Sequence, residues 1–164
     1  MKNFFLKTAY LLGQESKCVS HQVGAVIAKD KRIISTGYNG TPPKFKNCNE
    51  VFDPKNFDRE EHHIWSDKYE VHAELNALAY SAKNDIGING AEIYTILQPC
   101  DNCLKNIIAA GIKKIYYVIS YDKATKDNEL WNLIEYEQVN DPELLEWLKN
   151  QEEFKKTQYK SQII

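Results

Sequence analysis

The residues best suited to chemistry fall in two short groups, His72-Ala73-Glu74 and Pro99-Cys100-Asp101-Asn102-Cys103. Two thiols and an imidazole are natural zinc donors. The three-residue step from Cys100 to Cys103 turns both sulfurs to one side of a helix start. Pro99 suits the entry to such a helix. Two helix N-termini aimed at one spot favour thiolate, the form that binds metal. A structural zinc normally takes four protein donors, and this set supplies three. The remaining position is what a bound water needs, and zinc lowers the pKa of that water toward ~7. Glu74 lies two residues past His72. Its carboxylate can reach the water without being a ligand, take its proton and hand it on.

A second set of donors lies apart from these. Cys18 and Cys48 are joined by His62 and His63, and His21 follows Cys18 by three residues. Two thiolates with one or two imidazoles would close a structural zinc site. Such a site would explain how residues 41–70, polar and with little periodicity, stay ordered.

These side chains need elements to position them. Residues 3–16 carry apolar positions at helical spacing. Val23–Ala28 and Arg32–Gly37 read as strands of a hairpin around the charged turn Lys29-Asp30-Lys31. Val71–Lys83 is helical, Ala91–Leu97 a strand, Asp101–Ala110 a helix stopped by Gly111, and Lys114–Ser120 a strand. Residues 129–139 carry no clear pattern. Asp141 and Pro142 open a last helix. The alternation predicts a mixed α/β sheet with helices on its faces.

Composition narrows the function. The 164 residues make about one domain. The net charge is −2, and only Arg32 and Arg59 are arginines. That balance argues against a protein that coats DNA or RNA, and leaves small anionic ligands open. No run of 18 apolar residues is present, so no membrane span is expected. The amphipathic start reads as a helix, not a signal peptide. The four cysteines are expected to be reduced, in a cytoplasmic setting.

His-x-Glu with Pro-Cys-x-x-Cys is the signature of zinc nucleobase deaminases. The runs Val23–Ile27, Ser35-Thr36-Gly37-Tyr38-Asn39-Gly40, Val71–Ala77 and Thr95–Cys100, with the long insertion between the second and third, resemble the deoxycytidylate (dCMP) deaminases over about residues 15–123. The likeness is greatest to the viral branch, which carries an extra zinc-binding insertion. The resemblance implies a three-layer α-β-α cytidine-deaminase-like fold with a mixed sheet of about five strands. It implies a single deaminase domain over 1–164, a zinc-binding insertion at about 41–70 and a C-terminal helical extension at about 141–158.

It also implies hydrolysis of dCMP to dUMP and ammonia, supplying dUMP for dTMP synthesis. His72, Cys100 and Cys103 would hold the catalytic zinc, and Glu74 would carry protons from water to the ring and to the leaving amine. The backbone around Ala73 and Gln98 would read the base, Asn39 the deoxyribose, and Tyr121 would line the base pocket. Asn39 can serve a turn as well as the sugar contact, and Tyr121 is equally suited to packing. Cys18, Cys48 and His62 would hold the second zinc, with the fourth donor open among Asp58, His63 and His21.

Activation by dCTP and inhibition by dTTP are further implications, with Gly37, Tyr38 and Gly40 in the effector loop and magnesium sharing the triphosphate charge. A homohexamer acting in the cytoplasm (the host's, for a viral protein) is expected, with neither nucleic acid polymer nor membrane as partner. A related deaminase accepting dCTP or cytidine is the first alternative. A non-catalytic zinc-scaffolded binding module is the second, and it would have no use for Glu74.

Overall fold

The computed structural model describes residues 1–121, 124 and 127–151. Its centre is a five-stranded mixed sheet in the order β2-β1-β3-β4-β5. β1 (Gly24–Lys29) and β2 (Arg32–Tyr38) form an antiparallel hairpin. Asp30 and Lys31 take positive φ at its tip, +51° and +63°, the two-residue turn whose twist matches that of the strands. β3 (Glu92–Leu97) runs antiparallel to β1, and β4 (Lys114–Ile119) lies parallel to β3. The parallel pair is joined by helix α5 (Asp101–Ala109), as such crossovers require.

Strand β1 is buried on both sides. Ala25 and Ile27 enter one core, Val26 and Ala28 the other, which is why its sequence is apolar throughout rather than alternating. The first core is roofed by α4 (Ala73–Lys83) and α5, through Ala73, Ala77, Leu104 and Ile107. The second is roofed by α1 (Lys2–Gly13) and α6 (Pro142–Lys149), through Phe5, Leu6, Leu144 and Leu148. These are the three layers that the sequence predicts.

Two glycines allow the helices to come this close. A Cβ at Gly24 would collide with the Ala9 carbonyl oxygen, and one at Gly37 with the Ala73 carbonyl oxygen. The first turn of α4 therefore lies directly on β2, which fixes where His72 and Glu74 point.

The structure corrects the view of residues 41–70 as an aperiodic stretch. They contain α2 (Cys48–Val51) and α3 (Arg59–Tyr69). Asn47 and Glu50 form a capping box on α2, and Asp58 caps α3 by accepting from Glu61 N at 2.9 Å. Helix α3 was hidden because its inward face is polar, while periodicity searches look for an apolar one. Residues 129–139 resolve into a 3₁₀ turn (Glu129–Leu133) and β5 (Glu135–Gln138), an edge strand parallel to β4. Its polar sequence suits an edge, where few side chains need burial. Of the expected extension at 141–158, α6 is seen, and residues 152–158 lie outside the described residues. No helix among the described residues is long and apolar enough to cross a membrane.

Candidate active site

His72 is the N-cap residue of α4 and Cys100 that of α5. Paired hydrogen bonds between Gly40 and Val71, 3.1 and 2.8 Å, fix the chain as it enters α4. The two helix starts then face each other. His72 Nδ1 lies 3.5 Å from Cys100 Sγ and 3.3 Å from Cys103 Sγ. All three donor atoms fall within 4.8 Å of one another. Glu74 is 5 % exposed, and its Oε2 lies 3.7 Å from Cys103 Sγ.

The charges are arranged for metal. Hydrogen bonds from the Cys103 thiol and the His72 ring hold Cys100 down to about 4, so it is a thiolate. The bond to Cys100, with burial, pushes the Cys103 thiol up. The two sulfurs thus share one proton, which a divalent cation would displace. The hydrogen bond with Cys100 raises His72, against the effect of burial. Burial lifts the Glu74 carboxyl above its ordinary range, as a group meant to take and return protons needs. Two sulfurs and one imidazole fit zinc with one position left over.

A second cluster joins the loop after α1 to the insertion. Cys18, Cys48, His62 and Glu70 bring donor atoms within 4.8 Å of one another, and all four are buried. His62 Nε2 lies 3.5 Å from Cys18 Sγ and 3.3 Å from Cys48 Sγ. Burial lowers His62, keeping the ring neutral as a metal donor must be. The Cys18 thiol lowers Cys48 by hydrogen bonding. Ser66 Oγ donates to Glu70 Oε2 at 2.6 Å. Glu70 Oε1 is buried with no hydrogen-bond partner among the described residues, a costly arrangement unless a cation meets it. Phe52 and Phe57 wall the His62 ring at centroid distances of 5.2 and 5.3 Å.

Both clusters help to line one cavity of 250 Å³, to which Cys18, His62 and Glu70 contribute as well as His72, Glu74 and Cys100.

Residues 1–119 match the family described as "Cytidine and deoxycytidylate deaminase zinc-binding region". The chain belongs to this family. The deoxycytidylate deaminase of Enterobacteria phage T4 is 42% identical over 149 residues, covering 72% of this chain and 77% of that one. The human deoxycytidylate deaminase is 34% identical over 135 residues, covering 79% and 73%. Among solved structures, the dCMP deaminase of cyanophage S-TIM5 in complex with dCMP and dUMP is similar, with TM-score 0.70, 35% identity, and coverage of 84% of this chain and 96% of that one.

Within this deaminase, the other expected site residues take definite places. Ala73, Gln98, Asn39 and Tyr121 all line the cavity. Asn39 is also a latch: its Oδ1 accepts from Val23 N at 2.9 Å and its Nδ2 donates to His21 O at 2.7 Å. Gln98 Oε1 accepts from Tyr121 N at 3.2 Å, which holds Tyr121 at the cavity edge. Gly37 is committed to the β2–α4 contact, Tyr38 is exposed, and Gly40 has open space around it.

The expected fourth donors of the second cluster are placed elsewhere. Asp58 caps α3, His63 faces Asp67 at 3.4 Å, and the His21 ring lies against Tyr121. Glu70 stands in the fourth place, and the sequence reading missed it. Its signal was spacing: His62, Ser66 and Glu70 repeat every four residues along one face of α3 and its C-cap.

Proposed function

We propose that this deaminase hydrolyses dCMP to dUMP and ammonia. The observation that carries the reading is a buried carboxylate, Glu74, beside a three-donor His72–Cys100–Cys103 set that opens on a cavity. The names of the phage T4 and human relatives support the substrate, as does the ligand pair in the cyanophage structure.

Zinc held by His72, Cys100 and Cys103 would make water acidic enough to yield hydroxide near neutral pH. Glu74 takes the proton of that water as its oxygen adds to the ring carbon bearing the amine. It places the proton on the adjacent ring nitrogen. Glu74 then takes the remaining proton from the added hydroxyl and passes it to the amine, which leaves as ammonia as the carbonyl of the uracil ring forms. Burial keeps Glu74 ready to hold a proton between these transfers. The cavity walls at Ala73 and Gln98 orient the base, Tyr121 covers it, and Asn39 meets the sugar while keeping its loop in place.

The second cluster, Cys18, Cys48, His62 and Glu70, would hold a structural zinc that pins the insertion. The product dUMP would feed dTMP synthesis. Regulation by dCTP and dTTP belongs to the same reading, with Gly37, Tyr38 and Gly40 near a magnesium-bound triphosphate in a homohexamer. The open surroundings of Gly40 favour backbone approach to phosphate. We assign the enzyme to the cytoplasm, where thiols stay reduced.

Ammonia release from dCMP, dCTP, deoxycytidine and CMP, with and without dCTP and dTTP as effectors, tests the reading. Preference for dCMP supports it. Preference for deoxycytidine, or no turnover, overturns it. A sigmoidal dCMP curve that dCTP makes hyperbolic supports regulation, and indifference to both triphosphates removes it.

A further inference from the structure

Asn39 is held from behind the cavity wall. Its carboxamide has two N–H donors and an oxygen with two lone pairs. One donor goes to His21 O at 2.7 Å, and one lone pair receives Val23 N at 2.9 Å. Among the described residues, that leaves one donor and one acceptor open on a side chain that lines the cavity. Where they point depends on the Asn39 backbone and on the loop that grips its side chain.

Ser16 braces both. It follows α1 and is tied to the helix end, Ser16 N donating to Gly13 O at 3.0 Å. Ser16 is 2 % exposed, and its hydroxyl is used twice. Oγ gives its one hydrogen to Asn39 O at 2.7 Å and accepts from Cys18 N at 3.2 Å. The Ser16 carbonyl accepts from Gln22 Nε2 at 2.8 Å. That bond steadies the chain between His21 and Val23, the two partners of the Asn39 side chain. Asn39 N closes the circuit by donating to Val23 O at 3.1 Å. Buried hydrogen bonds linked in this way reinforce one another. The segment that carries Cys18 and the end of β2 are thus held as one piece on the end of α1.

We propose that Ser16 is a positioning residue for the deamination: by bonding the Asn39 carbonyl and the Cys18 amide with one hydroxyl, it aims the open donor and acceptor of Asn39 at the sugar of the substrate. This rests on the reading of dCMP and Asn39 above. Ser16 stands outside the cavity lining formed by the described residues. Its hydroxyl bonds α4 and α5 at no point among them, so it acts on substrate affinity and leaves the proton transfers of Glu74 alone. A small hydroxyl suits the purpose, because it gives and receives in the space of two heavy atoms.

The sugar of dCMP has one free hydroxyl, at C3′. The test is the ratio of kcat/KM for dCMP to that for 2′,3′-dideoxycytidine 5′-monophosphate, which lacks it. Being a ratio, it is insensitive to how much protein is folded or zinc-loaded. Ser16→Ala should lower it about 10-fold, the worth of roughly one hydrogen bond, through KM for dCMP and with kcat little changed. Ser16→Thr keeps the hydroxyl and should restore the ratio. Gln22→Ala removes an exposed side chain and should lower the ratio by a smaller factor. Val139→Ala, in the core on the other side of the sheet, should lower the melting temperature and leave the ratio unchanged, which separates aim from stability. An unchanged ratio in active Ser16→Ala overturns the role of Ser16. Should that variant not fold, an unchanged ratio in Gln22→Ala overturns it instead. A wild-type ratio of one overturns the sugar contact of Asn39, and the Ser16 assignment with it, while dCMP turnover stands. A wild type that releases no ammonia from dCMP overturns the reading of function.

Discussion

Two thiols and an imidazole converge in each of two places, yet among the described residues only the His62 cluster gains a fourth donor, Glu70. Around His72 the nearby carboxylate, Glu74, stays outside the donor set at 3.7 Å from Cys103. The difference comes from where each carboxylate is mounted. Glu74 lies inside the first turn of α4, two residues past its metal-facing histidine, and points along the helix start. Glu70 is the C-cap of α3, eight residues past His62 on the same face, and Ser66 fixes one of its oxygens. On the proposed reading, the same residue type would move protons in one place and close a coordination shell in the other. One cluster would then keep a position for chemistry, and the other would spend it on structure.

The largest expected effect falls on the open cluster. Glu74→Gln should cost at least ~100-fold in kcat with dCMP, while zinc content and thermal midpoint stay near wild type. Turnover that survives this change would reassign the proton carrier and erase the contrast. Next comes the closed cluster. Cys48→Ser should lose one zinc per chain and lower the melting temperature by roughly 10 °C or more, as expected when a metal-held segment is released. A melting temperature unchanged by Cys48→Ser would show that the aromatic contacts of the insertion suffice without metal.

Much of this contrast was legible in sequence. His-x-Glu and Pro-Cys-x-x-Cys are local patterns, and the three donors sit at the starts of two helices, where capping and spacing are readable. Strands β1, β3 and β4 were legible for a related reason: burial on both sides makes them largely apolar, while the more exposed β2 was marked by the charged turn that joins it to β1. The insertion was not. Its inward face on α3 is His62, Ser66 and Glu70, and its own packing is ring against ring, as in Phe45 on Tyr69 and Phe52 on Trp65. A helix that buries polar donors gives no apolar stripe. Asp58 entered through the family resemblance as one of three candidate fourth donors, with His63 and His21, whereas the structure uses it as the cap of α3. Strand β5 was hidden by its place at the edge of the sheet.

Smaller changes refine the comparison. Ser66→Ala frees Glu70 Oε2 without removing a donor. It should weaken retention of the second zinc roughly 10- to 100-fold in a chelator competition and leave the catalytic zinc unaffected. Equal loss from both sites would show that the clusters are coupled through the shared cavity. The smallest effect should come from Asp141, which caps α6 on the opposite side of the sheet from the His72 cluster. Hydrogen bonds from the Leu144 amide and the Asn3 side chain hold its carboxyl below the ordinary value of 3.8. Its contribution is present above that value and is lost as pH falls through the lower folded one. Thermal scans should show Asp141→Ala slightly less stable than wild type at pH 7, with the gap closing in acid. A gap that widens in acid would reverse the sign of the Asp141 interaction.

Zinc per chain, read beside ammonia release in the same tag-free preparations, tests the division of labour most directly. The account predicts two zinc ions and dCMP turnover in wild type, one zinc with turnover retained in Cys48→Ser, and one zinc without turnover in Cys100→Ser. A wild-type value near one, or a Cys48→Ser enzyme that keeps two, would contradict it.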